Sequence, residues 1–154
     1  MSLLTSKNYR ILDILLVEDD DADSVLAFEA FKDFKRPVEL IRVKDGEEAL
    51  AYLKKENKYT RVSTPDLILL DLNMPKKGGM EVLVEIKSDP RLKEIPVVVL
   101  TSSQSNKDTE DAYEAKANFY LVKPSDFTGF CEAMRFLEEV WLPTLKPKDT
   151  SEKS

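Results

Sequence analysis

The chain has 154 residues, of which 42% are hydrophobic and 34% charged, with a formal net charge of −6. That length gives one domain with a core of its own, and the negative charge argues against contact with a nucleic-acid backbone. With no histidine and a single cysteine, the chain has no histidine-based acid–base catalysis, no Ser-His-Asp triad, no zinc–histidine site and no internal disulfide.

In chain order, short apolar runs alternate with amphipathic stretches. Ile11 to Val17 is an apolar strand interrupted only by Asp13. Ser24 to Phe34 reads as a helix, with Val25, Phe28, Phe31 and Phe34 at helical spacing, capped by Asp21 or Asp23. Val38 to Val43 alternates like a strand with one wetter face. Asp45-Gly46 turns into a helix over Glu47 to Glu56 that points Ala49, Leu50 and Leu53 inward. Leu67 to Leu70 is a fully apolar strand, Gly79 to Ser88 a helix broken by Asp89-Pro90, and Pro96 to Leu100 another apolar strand. Lys107 to Lys116 is a polar helix, Phe119 to Val122 the last strand, and Asp126 to Trp141 the last helix.

Strands joined by helices make a parallel α/β sheet. Five such units imply a flavodoxin-like (βα)5 fold with strand order 2-1-3-4-5. The domain is expected over 10–143, with flexible tails at 1–9 and 144–154. No apolar run approaches the roughly 20 residues that span a membrane, and the first ten residues lack a signal-peptide core. A cytoplasmic protein with no membrane partner is expected. Cys131 falls in an apolar helical pattern, as a small core residue or as a reactive thiol.

The polar residues at the strand ends carry the chemistry. The first run ends in Glu18-Asp19-Asp20, the third strand in Asp71, the fourth in Thr101, and the fifth in Lys123-Pro124. In a parallel sheet these ends share one edge, and ligands of open α/β folds bind outside the carboxyl ends at the switch point between strands 1 and 3. Glu18, Asp19 and Asp71 should therefore converge, flanked by Thr101 and Lys123. Three carboxylates in one crevice repel one another, and a hard divalent cation such as Mg²⁺ relieves this. A cation, a lysine, a hydroxyl and a nucleophilic carboxylate are what phosphoryl transfer requires. Asp71, alone at its strand end, is the candidate nucleophile, and Glu18 and Asp19 are placed to hold the metal. Singly, each feature has a plainer reading: a solvated acidic loop, a helix cap, a turn. Four strand ends of this kind together do not.

The runs Leu15-Leu16-Val17-Glu18-Asp19-Asp20, Asp71-Leu72-Asn73-Met74-Pro75 with Gly79, Leu100-Thr101-Ser102 and Tyr120-Leu121-Val122-Lys123-Pro124 resemble the receiver domain of two-component response regulators. The resemblance spans about residues 10–142. It implies that Asp71 is the phosphoacceptor and that Glu18, Asp19, Asp71 and the Asn73 carbonyl hold Mg²⁺. It implies that the Thr101 hydroxyl and Lys123 bond the phosphoryl group, and that the Lys123–Pro124 peptide is cis. Thr101 and Tyr120 would form the switch, although Tyr120 also fits as a half-buried strand tyrosine. Position 116, where similar domains place a helix-ending glycine, is Lys116, so that helix end is expected to close through Asn118. Lys76-Lys77-Gly78 makes the loop after Asp71 unusually basic, and Asn73 and Ser103 stand where such domains tune hydrolysis.

No output domain comes after Trp141 in this sequence, so the signal is expected to leave by protein contact. The resemblance implies a sensor histidine kinase as phosphodonor and a downstream protein target. The Lys54 to Thr64 connection, the Ser88 to Leu92 segment and the Phe136 to Leu142 stretch are most similar to single-domain regulators paired with bacterial phytochromes. On the last helix, Phe127, Phe130, Met134, Leu137 and Trp141 form a stripe for the sheet. Ala133, Phe136 and Val140 widen it, either as core or as an exposed face for a homodimer through the fourth helix, last strand and last helix. Three rivals fare worse. A dehalogenase-like phosphatase wants a second aspartate where Asn73 stands, a flavin binder wants a glycine- and hydroxyl-rich loop where Glu18 to Asp21 stand, and a degenerate scaffold would not keep every signature residue.

Overall fold

The computed structural model describes residues 11–74, 77–141 and 143. Five parallel strands, β1 (Leu12–Val17), β2 (Val38–Val43), β3 (Leu67–Leu70), β4 (Val97–Thr101) and β5 (Phe119–Val122), form one sheet in the order β2-β1-β3-β4-β5. The helices between and after them are α1 (Asp21–Phe31), α2 (Gly46–Leu53), α3 (Gly79–Ser88), α4 (Asn106–Glu114) and α5 (Phe127–Phe136). This is the flavodoxin-like order that the alternation implies. The polar tails expected at 1–9 and 144–154 lie outside the described residues.

The core has two sides because side chains of a strand alternate between faces. Leu15, Val17, Ile68, Leu70, Val97 and Val99 pack under α2 and α3, against Leu50, Leu53, Leu83 and Ile86. Leu12, Ile14, Leu16, Leu67, Leu69, Val98 and Leu100 pack under α1 and α5, against Ala27, Phe31, Phe130 and Met134. Strands β1, β3 and β4 are covered on both faces, which is why their sequences are apolar runs and not alternations. No helix among the described residues is long and apolar enough to cross a membrane.

Several local expectations are corrected. The first helix begins three residues earlier than the apolar spacing indicates, because Asp20 caps it: its side chain accepts from the Asp23 N–H at 2.8 Å. The buried face is Ser24, Ala27, Ala30 and Phe31, while Val25 and Phe28 are 58% and 40% exposed. Small residues let α1 lie close against α5, and the buried Ser24 hydroxyl bonds the Asp21 carbonyl. The second helix ends at Leu53, and the connection after it folds back as a short 3-10 turn, Asn57–Tyr59, whose Tyr59 ring lies 5.0 Å from that of Tyr52. The last helix leaves α geometry at Phe136 and continues as a wider π turn, Leu137–Trp141.

In the stripe on α5, Phe130, Met134 and Leu137 are buried, but Phe127 is 45% exposed at the helix start; the Trp141 side chain lies outside the described residues. Of the widening positions, Ala133 packs on the core while Phe136 and Val140 are exposed. Cys131 is partly buried against the same core, in keeping with a packing role. The described residues contain no cis peptide, so Lys123–Pro124 is trans, the state X–Pro bonds favour by about 0.5–1 kcal/mol. α4 closes not through Asn118 but through Lys116 itself, which takes φ 77° while the Ala117 N–H bonds the Ala112 carbonyl. The Asn118 amide instead ties down β4, accepting from the Val97 N–H at 2.8 Å.

Candidate phosphorylation and metal site

Strand register brings the polar strand ends together. Val17 pairs with Leu70, so Glu18 and Asp71 emerge side by side from β1 and β3. Thr101 pairs with Val122, so Lys123 comes directly after, its N–H bonding the Thr101 carbonyl at 2.7 Å. Glu18, Asp71 and Thr101 are buried and Asp19 is exposed. The carboxylate oxygens of Glu18, Asp19 and Asp71 lie within 4.8 Å of one another.

Close packing fixes the backbone under Asp71. α3 begins at Gly79, whose N–H donates to the Leu72 carbonyl at 3.1 Å. A Cβ on Gly79 would stand 2.2 Å from the Asp71 carbonyl oxygen, so only glycine admits this approach. On the other side, the Arg42 guanidinium from β2 donates to the Glu18 carbonyl at 2.9 Å and pairs with Asp21 at 2.8 Å.

Among the described residues, Lys123 is the cation whose side chain enters the crevice. Its ammonium lies 2.7 Å from Glu18, 2.7 Å from Asp23 and 3.4 Å from Asp71. Burial opposes its charge, but the hydrogen bonds to Asp23 and Glu18 and the charge of Asp71 outweigh it and hold the pKa above the ordinary lysine value. One lysine does not neutralise the carboxylates around it. Burial, with Asp71 adding and Lys123 opposing, pushes the Glu18 carboxyl up to about 7. An all-oxygen donor set with surplus negative charge and one exposed member suits a hard divalent ion, which would be held by Glu18, Asp19 and Asp71.

The remaining site residues form a second chain of contacts. The Asn73 N–H donates to Asp71 Oδ1 at 3.1 Å, and its side-chain amide donates to Thr101 Oγ1 at 3.1 Å. The Ser103 N–H also points at Thr101 Oγ1, at 3.4 Å, and the Ser103 hydroxyl bonds Asp108 Oδ2 at 2.6 Å. Tyr120 donates its hydroxyl to the Ser103 carbonyl at 3.1 Å, so its ring is tethered to the loop after Thr101. All the residues expected at the site are thus brought together. Two were missed: Asp23, read only as a helix cap, and Arg42, read only as a strand residue. Asp23's available signal was its place in the first turn of a helix opening on the carboxyl edge; for Arg42 there was none.

The chain matches the family model described as the response regulator receiver domain over residues 14–135. It is 46% identical over 132 residues to the response regulator Rcp1 of Synechocystis sp., covering 86% of this chain and 90% of that one. Among solved structures, the phosphorylated cyanobacterial phytochrome response regulator RcpA matches with a TM-score of 0.85 and 47% identity, covering 89% of this chain and 98% of that one. The Mn(2+)-bound form of Rcp1 matches with a TM-score of 0.83 and 44% identity, covering 90% of this chain and 99% of that one.

Proposed function

This chain belongs to the response regulator receiver domain family, and on that premise we propose that it accepts a phosphoryl group on Asp71 from a sensor histidine kinase in a Mg²⁺-dependent reaction. The observation that carries this reading is Asp71 itself: a buried carboxylate at the end of β3, between Lys123 at 3.4 Å and the carboxylates of Glu18 and Asp19. An Asp71 oxygen forms a bond to phosphorus while the bond from phosphorus to the kinase imidazole nitrogen breaks, and the imidazole leaves with the electron pair. Glu18, Asp19, Asp71 and the Asn73 carbonyl would hold a divalent ion, which would supply positive charge against the phosphoryl oxygens. Lys123 turns an N–H toward those oxygens. Thr101 gives up the Asn73 amide to bond them, and its loop carries the anchor of Tyr120 with it. The phosphoryl group thereby biases a two-state surface that a downstream protein reads.

The protein is on this reading a cytoplasmic phosphoacceptor, with its domain over 10–143, that assists its own phosphorylation and dephosphorylation and is not an enzyme acting on other substrates. The likeness to RcpA, a phytochrome response regulator, supports a phytochrome-linked kinase as donor. The test is intact mass after incubation with acetyl phosphate, with and without Mg²⁺. Wild type gains one phosphoryl group only with the metal, and Asp71→Asn gains none. A wild type that gains nothing while a flavin or phosphate ester binds or is hydrolysed would overturn the reading.

A symmetric dimer through α4, β5 and α5 is part of the proposal. Each of these elements carries an exposed apolar residue, Tyr113, Val122 and Phe136, and the Phe136 ring stacks on Phe119 at 5.9 Å. In a two-fold contact the same patch serves both copies, so one charge is introduced twice. Phe136→Glu is expected to sediment as a monomer where wild type sediments as a dimer; a monomer-like profile for both would sink the dimer, and a dimer for both would sink this face.

A further inference from the structure

An ammonium group has three N–H donors, and three carboxylates take those of Lys123. Two of the contacts are short, 2.7 Å to Glu18 and 2.7 Å to Asp23, and the third, to Asp71, is 3.4 Å. The lysine is thus drawn toward the α1 side of the crevice. Asp23 is set firmly in the first turn of α1, its N–H bonded to the Asp20 carboxylate at 2.8 Å. Its contact with Lys123, 100 residues away in sequence, is shielded: the lysine side chain is 10% exposed and that of Asp23 33%. Glu18 and Asp71 belong to the group of three carboxylates that can share a cation, and Asp23 does not. With a cation on that group, Asp23 would be left as the partner of Lys123 that is not also a metal ligand.

We infer that Asp23 is a positioning residue of this site, whose carboxylate holds Lys123 back from Asp71 and competes with the phosphoryl group for its ammonium. The inference rests on the proposed role of Asp71. Two effects act in one direction. Asp23 takes a donor that the phosphoryl oxygens would otherwise receive, and its own charge repels the anionic donor. Removing the charge while keeping the shape should therefore ease phosphorylation and prolong the phosphorylated state. A residue that merely aimed Lys123 would give the opposite result.

The experiment is phosphorylation by acetyl phosphate in saturating Mg²⁺, with intact mass as the readout, for wild type, Asp23→Asn, Asp23→Glu and Glu29→Gln. In each case the Asp71 oxygen bonds phosphorus as the phosphorus–oxygen bond to acetate breaks and acetate leaves. Asp23→Asn is expected to lower the half-saturating acetyl phosphate concentration about three- to fivefold and lengthen phosphoryl lifetime by a similar factor, the scale of one partly screened ion pair. Its maximal rate stays near that of wild type. Asp23→Glu, which restores the carboxylate, returns both values toward wild type. Glu29→Gln removes an equal charge from the same helix, where Glu29 pairs with Lys32 at the surface, and leaves both unchanged. A wild-type protein that is phosphorylated while Asp23→Asn is unchanged or slower overturns the role of Asp23 and leaves that of Asp71 standing. So does a Glu29→Gln that behaves like Asp23→Asn, because bulk charge would then explain the effect. A wild-type protein that takes no phosphoryl group removes the Asp71 reading, and this inference falls with it.

Discussion

Single residues at the carboxyl edge divide into those a strand delivers and those a helix delivers. Glu18, Asp71, Thr101 and Lys123 each succeed or end an apolar run, so their convergence could be read from the chain. Asp23 reaches Lys123 only because the tertiary fold brings the first turn of α1 within reach of the lysine that follows β5, a placement no local pattern encodes. Lys116 shows the opposite case, a position flagged correctly and explained wrongly. It holds φ 77° at the end of α4 without the freedom of glycine, which costs a side-chain-bearing residue roughly 1–2 kcal/mol. Lys116→Gly removes that strain but adds unfolded-state entropy. The net expectation is a protein about 0.5–1 kcal/mol more stable in urea denaturation. An equal or lower midpoint would mean that the Lys116 side chain contributes more than its backbone costs.

At the scale of elements, helix starts follow caps and not apolar spacing, and the cap of α1 is Asp20 where the sequence suggested Asp21 or Asp23. Asp20, Asp45, Ser105 and Asp126 each accept a hydrogen bond from the backbone N–H three residues on, and each fixes where its helix begins. Of the spaced set Val25, Phe28, Phe31 and Phe34, α1 turns Val25 and Phe28 outward, because close approach to α5 favours alanine over bulk. The segment after α2 was legible only as a long connection. It is held by Tyr59, whose hydroxyl donates to Glu48, a residue that also accepts from the Lys44 N–H at 3.0 Å. Burial alone would raise the Glu48 pKa, but these two donors and the nearby Lys58 lower it below the ordinary 4.5. A lowered carboxylate stabilises the fold above its unfolded pKa and loses that contribution as the pH falls through its folded value. Tyr59→Phe is therefore expected to cost about 1 kcal/mol at pH 7. The deficit should shrink as the pH is taken below 4.5, the ordinary Glu48 value; urea titrations at pH 7 and pH 3.5 would show a constant deficit if Glu48 were not the partner.

Taken whole, the molecule is a two-sided apolar sheet that concentrates unneutralised carboxylates at one edge. The edge stores repulsion that a divalent ion relieves, so metal binding should stabilise the entire fold and not only the site. At a Mg²⁺ concentration one hundred times its Kd, the gain is expected to be about 2.7 kcal/mol, read as a rise in thermal midpoint. Asp19→Asn, which removes the exposed carboxylate of the set, is expected to lose most of that rise; a variant that keeps it would place the ion elsewhere. The sequence by itself determined the alternation of strands and helices, the strand order, and the residues at four strand ends, because burial, on both faces for β1, β3 and β4, demands apolar runs and the chain turns polar where they stop. Tertiary structure alone decided which face of α1 is buried, how Tyr59 secures the α2 connection, and that Lys123 is shared among Glu18, Asp23 and Asp71. Those outcomes depend on how far apart packed elements stand and how they are rotated, quantities set by contacts between residues distant in the chain.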